Sequence, residues 1–198
     1  PRVGFAWRPR PKTIVRGGYG ISYSSPVYQS MAQKLSAQPP FAVTDTRLGT
    51  LVVPLTLTGA FATPNSATTT NNFGVDRSYD LGYLQMWNLD IGRDVTRTIN
   101  AGIGYTGTRG SSLDLLRAPN RGPSGLLIPG VQAFTWESAG GNSIMHAMSL
   151  RLRKRPTKGF GGGLTYTLSK SRDNASSIGG GGGVVAQNDK DLNAEWGL

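Results

Sequence analysis

The sequence predicts an all-β chain: about six antiparallel strands forming a curved, open section of a transmembrane β-barrel. Two patterns carry this. Each segment that reads as a strand alternates apolar with small or polar residues, which puts a greasy face opposite a glycine and hydroxyl face. The links between segments also alternate, very short and then very long, as in barrels with tight turns at one rim and large loops at the other. A third observation removes the competing membrane architecture. No apolar run approaches the ~20 residues a membrane-spanning helix needs.

Taken in order, Val3, Phe5 and Trp7 alternate with Gly4 and Ala6 in a first strand near 2–8. The proline-rich stretch from Arg8 to Lys12 interrupts the ladder and turns the chain. In a second strand, 13–23, Val15, Tyr19, Ile21 and Tyr23 oppose Arg16, Gly18, Gly20 and Ser22. A long outer loop, 24–82, follows, rich in Thr, Ser, Asn and Pro; within it the run from Leu51 to Leu57 is a candidate for extra strand beyond the membrane.

The third strand, 83–93, sets Trp87, Leu89 and Ile91 against Asn88, Asp90 and Gly92. A tight turn over Asp94–Arg97 leads to the fourth, 98–108, where Ile99, Ala101, Ile103 and Tyr105 oppose Asn100, Gly102, Gly104 and Thr106. A second outer loop is expected over 109–145. Met148, Leu150 and Leu152 then oppose Ser149, Arg151 and Arg153 in a fifth strand, 146–155. After the turn from Arg155 to Gly159, the sixth strand, 159–170, carries Phe160, Gly162, Leu164, Tyr166 and Leu168 on one face. Its other face is Gly161, Gly163, Thr165, Thr167 and Ser169. The tail, 171–198, is a third outer loop with the low-complexity run Gly179–Gly183. A soluble sandwich would alternate too. It would not place long links at every second connection, nor leave its solvent face so poor in Lys and Glu.

The chain has 198 residues, 28 glycines, no cysteine and 37% hydrophobic residues. Starting at Pro1 and stopping at Leu198, it is expected to be an internal piece of a longer protein. Lacking cysteine, it has no disulfide and no thiolate nucleophile or zinc ligand. Its formal charge of +10 by itself points to nucleic acid or an anionic surface. The distribution narrows this. Arg8, Arg10, Lys12, Arg16, Arg93, Arg97, Arg151, Arg153, Lys154, Arg155 and Lys158 all lie at or beside the three short turns, with only Asp90 and Asp94 near them. Arg93, Arg97, Arg151, Arg153, Arg155 and Lys158 are therefore expected to form a cationic cluster on the lumen and short-turn rim.

Aromatic residues fall toward strand ends. Trp7 and Phe160 are expected at the short-turn interface and Tyr23, Tyr83, Trp87, Tyr105 and Tyr166 at the other, as two girdles in the headgroup layers. Catalytic signals are weak. His146 is the single histidine and has no nucleophile motif around it. No HExxH, phosphate-binding glycine loop or dinucleotide fingerprint occurs. Asp189, Asp191, Asn193 and Glu195 alternate like calcium ligands, but Ala194 stands where an EF-hand requires glycine, and a solvated loop accounts for them better. The basic run Arg151–Lys158 has few aromatics within it, so base stacking has little support. No enzyme activity and no cofactor or metal are expected.

"PRVGFAWRP" followed by "TIVRGGYGISY", then "WNLDIGRDV", "AGIGYTGTRGSSL", "SLRLRKRPTKGFGGGLTYTLSKSRDNASS" and "NDKDLNAEWG", resemble in order the barrel of the TonB-dependent receptor-like, Oar-like outer-membrane proteins. The resemblance implies the outer membrane of a Gram-negative bacterium and a barrel of about 22 strands around a plug. The implied partners are outer-membrane lipid, the plug domain of the same parent chain, the TonB complex reached through N-terminal parts, and an unknown solute: an iron chelate, an oligosaccharide or a peptide. Pro156 departs from the family, where an aromatic often stands. The expected function is solute uptake across the outer membrane. The alternatives are an outer-membrane structural or adhesion protein without transport, and a basic soluble nucleic-acid-binding β domain; no nucleic-acid partner is expected.

Overall fold

Period-two alternation translates directly into ladders. The computed structural model describes residues 1–25, 27–42, 56, 73–122, 124–129, 133–157, 159–174, 185–186 and 188–197. Its strands are β1 (Arg2–Arg10), β2 (Thr13–Tyr23), β3 (Phe73–Val75), β4 (Tyr83–Asp94), β5 (Ile99–Arg117), β6 (Arg121–Gly122), β7 (Gly125–Leu126), β8 (Thr135–Thr157) and β9 (Phe160–Asp173), with one helix, α1 (Val27–Ser36). The principal sheet is an antiparallel meander, β1-β2-β4-β5-β8, with β9 on the free side of β8. The three short turns join β1 to β2, β4 to β5 and β8 to β9 along one edge, while Tyr23 pairs with Tyr83 at the opposite edge, where the long connection leaves and returns. No ladder joins β1 to β9 among the described residues, so the sheet stays open.

Register fixes the faces. One ladder row reads Val15, Ile91, Ile103, Leu150, Tyr166; the next reads Gly17, Leu89, Tyr105, Met148, Leu168. Neither row contains a charge. On the other face the rows read Gly18, Asn88, Thr106, Ala147, Ser169 and Arg16, Asp90, Gly104, Ser149, Thr167. Among the described residues the apolar face has no second layer over it: Leu150 is 44% exposed, Leu164 68% and Leu168 59%. A soluble sandwich would bury these side chains. The buried apolar residues among those described are instead Val27, Met31, Leu113, Leu115 and Ala118, a small core at the long-loop end.

Two outward glycines are filled from the neighbouring strand. Gly17 pairs with Phe5 and Gly107 with Trp87. A Cβ on Gly17 would clash with the Phe5 ring, and one on Gly107 with the Trp87 indole. The rings lie across the glycines and cover their backbone.

The structure departs from the sequence reading in the loops. The expected outer loop 109–145 is largely strand, because β5 runs on to Arg117 and β8 starts at Thr135. Bulges interrupt their pairing between Gly110 and Leu113 and between Leu113 and Leu115, with Ser112 at φ 52°. They break the alternation on which the sequence reading relied. Loop 24–82 contains α1, whose Val27 and Met31 stand four apart and are both buried. Gln38 then clamps β3, donating to the Phe73 carbonyl at 2.9 Å and accepting from its amide at 2.7 Å. β3 lies parallel to the start of β8. The Leu51–Leu57 run, apart from Thr56, and Gly179–Gly183 lie outside the described residues.

These faces set unequal costs. In the intact barrel, Leu150→Arg should destabilise by ~2–4 kcal/mol and Thr165→Arg by much less, read by reversible denaturant titration in lipid. Gly107→Ala should cost ~1–3 kcal/mol by displacing the Trp87 indole. Gly92→Ala, with nothing within 4 Å of the added carbon, should be neutral or stabilising in the same titration.

Candidate functional site

The polar face forms a concavity of about 670 Å³ at the short-turn end, into which Arg8, Lys12, Arg16, Arg151 and Arg153 converge with Asp90 and Asp94. Their strands put them there: Arg16 pairs with Asp90 across β2 and β4, and Asn100 with Arg153 across β5 and β8. The Arg151 guanidinium is ion-paired and hydrogen-bonded to the Asp90 carboxylate. Asp94 accepts from Asn100 Nδ2 at 3.1 Å and lies 3.7 Å from the Arg155 guanidinium. Arg8, Lys12, Arg16 and Arg153 form no ion pair among the described residues. The wall is thus cationic beyond what its two carboxylates balance.

The expected six-residue cluster is only partly assembled. Arg151 and Arg153 face the concavity, and Arg155 sits at its margin through Asp94. Arg97 is exposed in the β4–β5 turn. Arg93 shares its row with Thr13, Ala101, Leu152 and Leu164, so it belongs to the outward face; an odd position on β4 carries it there. Lys158 lies outside the described residues. Arg8, Lys12 and Arg16, from the first hairpin, complete the cluster. Their signal was present in the sequence, as bases beside the first short turn.

The aromatic positions divide similarly. Tyr23 and Tyr83 meet at 6.2 Å between ring centroids at the long-loop end. Trp87 and Tyr105 both pack on His146, whose Nδ1 lies 2.7 Å from the Tyr105 hydroxyl. The histidine therefore belongs to an aromatic cluster on the outward face. At the short-turn end Trp7 is exposed, and Phe160 lies beneath Lys154 at 4.5 Å. Tyr166 falls in the apolar row of Val15, Ile91, Ile103 and Leu150, below the upper aromatics with which it was grouped. The alternating acids of the tail disperse. Asp189 accepts from Nε and Nη2 of Arg117, at 2.7 and 3.0 Å, Asp191 caps a short 3-10 turn, and Glu195 accepts from the Asn188 amide.

Sequence reasoning missed a buried acid pair at the long-loop end. It lies past Arg109, where the outward apolar stripe of β5 stops, and so outside the membrane. Asp114 and Glu137 are 3% and 0% exposed. Tyr79 donates to Asp114 Oδ1 at 3.4 Å, and Lys34 of α1 reaches Glu137 Oε2 at 3.2 Å. Asp114 Oδ2 and Glu137 Oε1 meet no donor from any other group among the described residues. Burial, followed by the hydrogen bond and charge of Glu137, pushes the Asp114 carboxyl up to about 7, against the smaller opposing pulls of Tyr79 and Lys34. Burial and Asp114 also raise the Tyr79 hydroxyl. A carboxyl raised in the folded state binds a proton that the unfolded chain has released, so stability falls as pH rises from the ordinary carboxylate range toward 7. After correction for the base-catalysed intrinsic rate, the amides of α1 and β3 should therefore be less protected at pH 8 than at pH 5. Asp114→Asn, which can donate to Glu137, should flatten that dependence in hydrogen-exchange mass spectrometry.

Comparison with known proteins agrees with this geometry. No curated protein matches the sequence. Among solved structures, the outer membrane transporter YddB from Escherichia coli is similar over 82% of this chain at 10% identity, with a TM-score of 0.53. The chain spans 18% of that transporter's length, and the likeness is one of fold. The family model of the outer membrane beta barrel domain matches residues 1–198. With an apolar face uncovered among the described residues, a polar concave face and the tight turns of its principal sheet along one rim, the chain belongs to the outer membrane beta barrel domain family and is part of a barrel in the outer membrane.

Proposed function

We propose that this chain is one wall of a TonB-dependent receptor-like barrel that takes up a solute across the outer membrane. The observation that carries the reading is the uncompensated cationic concavity on the lumen face. Arg8, Lys12, Arg16 and Arg153 enter it without a carboxylate partner among the described residues. These cations are exposed in the open sheet, and a plug filling the lumen would bury them, which is costly unless they are matched. An acidic surface of a plug filled into the barrel from the same parent chain would match it. The remaining lumen wall is mostly Gly, Asn, Ser and Thr, which lets such a plug pack closely. The similarity to a transporter supports the same reading at the level of fold. TonB would drive the plug's rearrangement, and the long outer loops would capture the solute.

The test uses the intact protein in planar bilayers and in cells. Arg153→Glu should loosen the plug and raise basal ion conductance. Uptake that depends on this protein should vanish when TonB is deleted. An unchanged conductance, together with a surface phenotype that persists without TonB, would favour a structural or adhesion role instead.

A further inference from the structure

On the outward face, the charge-free rows end abruptly at the long-loop side. The row above them is Tyr19, Trp87, Gly107, His146 and Lys170, and the next is Ile21, Gln85, Arg109, Ile144 and Arg172. Arg109 and Arg172 therefore flank Ile144 in one row, two strand spacings apart, ~10 Å between backbones. Lys170 lies one row below Arg172, beside His146. All three cations are exposed, and none is ion-paired to a carboxylate among the described residues.

The surroundings look built for a phosphate rather than left to water. The Arg172 guanidinium lies over the Trp196 ring at 5.9 Å. The backbone of Gly197 bonds to Asp173 in both directions, at 3.0 and 3.2 Å, and so fixes Trp196 beside β9. An open groove of about 620 Å³ runs past Arg109 and Trp196, with the amides of Asn142, Asn174 and Asn193 along it. The aromatic cluster of Trp87, Tyr105 and His146 sits directly below. Cations immediately above an aromatic row, on the face that hydrocarbon must cover, lie at headgroup depth. The long-loop rim is the outer one in such barrels.

We infer that Arg109, Lys170 and Arg172, with the asparagine-lined groove, bind the phosphate groups of a glycolipid in the outer leaflet. Guanidinium and ammonium groups donate charge-assisted hydrogen bonds to phosphate oxygens, and the acyl chains lie down the apolar rows. Asn142 and Asn174 both donate to the Gly140 carbonyl, which fixes the groove wall, and the exposed Asn193 amide is left to meet a sugar hydroxyl. At the opposite rim Lys154 likewise stacks on a ring, that of Phe160, but Arg93 is followed in its row by Ala101, Leu152 and Leu164, with no second cation on β5, β8 or β9. The inference rests on the membrane-facing side of the sheet and is independent of transport.

The intact protein, refolded in detergent, is incubated with bisphosphorylated lipid A, and the retained lipid is measured by mass spectrometry. The triple variant R109Q/K170Q/R172Q should retain about tenfold less or lower still, since each lost charge-assisted contact removes about a factor of ten. R93Q should retain as much as the unmodified protein. If the triple variant does not fold, judged by its gel shift on heating, R109Q and K170Q singly carry the same expectation. Equal retention of dephosphorylated lipid A would overturn the assignment, as would undiminished retention by the variants. Displacement by inorganic phosphate at matching phosphate concentration would assign the site to a free anion and overturn the glycolipid.

Discussion

A backbone amide in hydrocarbon has no partner except another backbone group. The sheet is organised by that requirement. From Thr13 to Tyr23, each residue of β2 has a register partner on β4, and β4 is paired without interruption from Tyr83 to Asp94 on β5. The bulges of β5 appear only past Gly110, where the outward face has already turned cationic and water can serve a broken ladder. The unpaired stretches of β1 and β9 are tolerable only if further strands cover them in the intact barrel.

Once the ladder is unbroken, facing follows from parity, and function is distributed by facing. The same strands carry Leu150 toward lipid and Arg151 toward the lumen. A one-residue slip would exchange them, so the apolar band and the Asp90–Arg151 pair enforce one register between them. The cations separate by the same rule. Those on the concave face gather near the tight turns, while Arg109, Lys170 and Arg172 stand on the convex face at the far rim. A sequence-wide charge of +10 therefore describes two unrelated surfaces.

Alternation made six strands, their order and both faces legible from the sequence, because lipid on one side and polar surface on the other leave a period-two record. What lay beyond the membrane left no such record. The bulges around Ser112 shift the phase of Leu113 and Leu115, so the upper halves of β5 and β8 read as loop. α1 is short, and its two buried residues, Val27 and Met31, are too few to announce a helix within a Thr- and Asn-rich stretch. The Asp114–Glu137 pair is brought together across the β5–β8 ladder at its bulges, where the sequence no longer shows the register. Arg93 shows a narrower failure. Its place near a turn was readable, but grouping cations by proximity to turns ignored the parity that sends it outward.

The return of Gly197 to Asp173 shows that even a long excursion ends beside the strand it left. That has a bearing on how such a chain can diversify. The entropy lost on closing a loop grows only with the logarithm of its length. Widening a connection from the span of the Asp94–Ile99 turn to that of Tyr23–Tyr83 costs only ~2–3 kcal/mol. The neighbouring ladder absorbs that once and is otherwise indifferent to it. Insertions at the long-loop rim are thermodynamically inexpensive, whereas those at the tight-turn rim would disturb strand register. One edge of the sheet is thus free to vary the length of its connections while the other stays bound to the geometry of the wall.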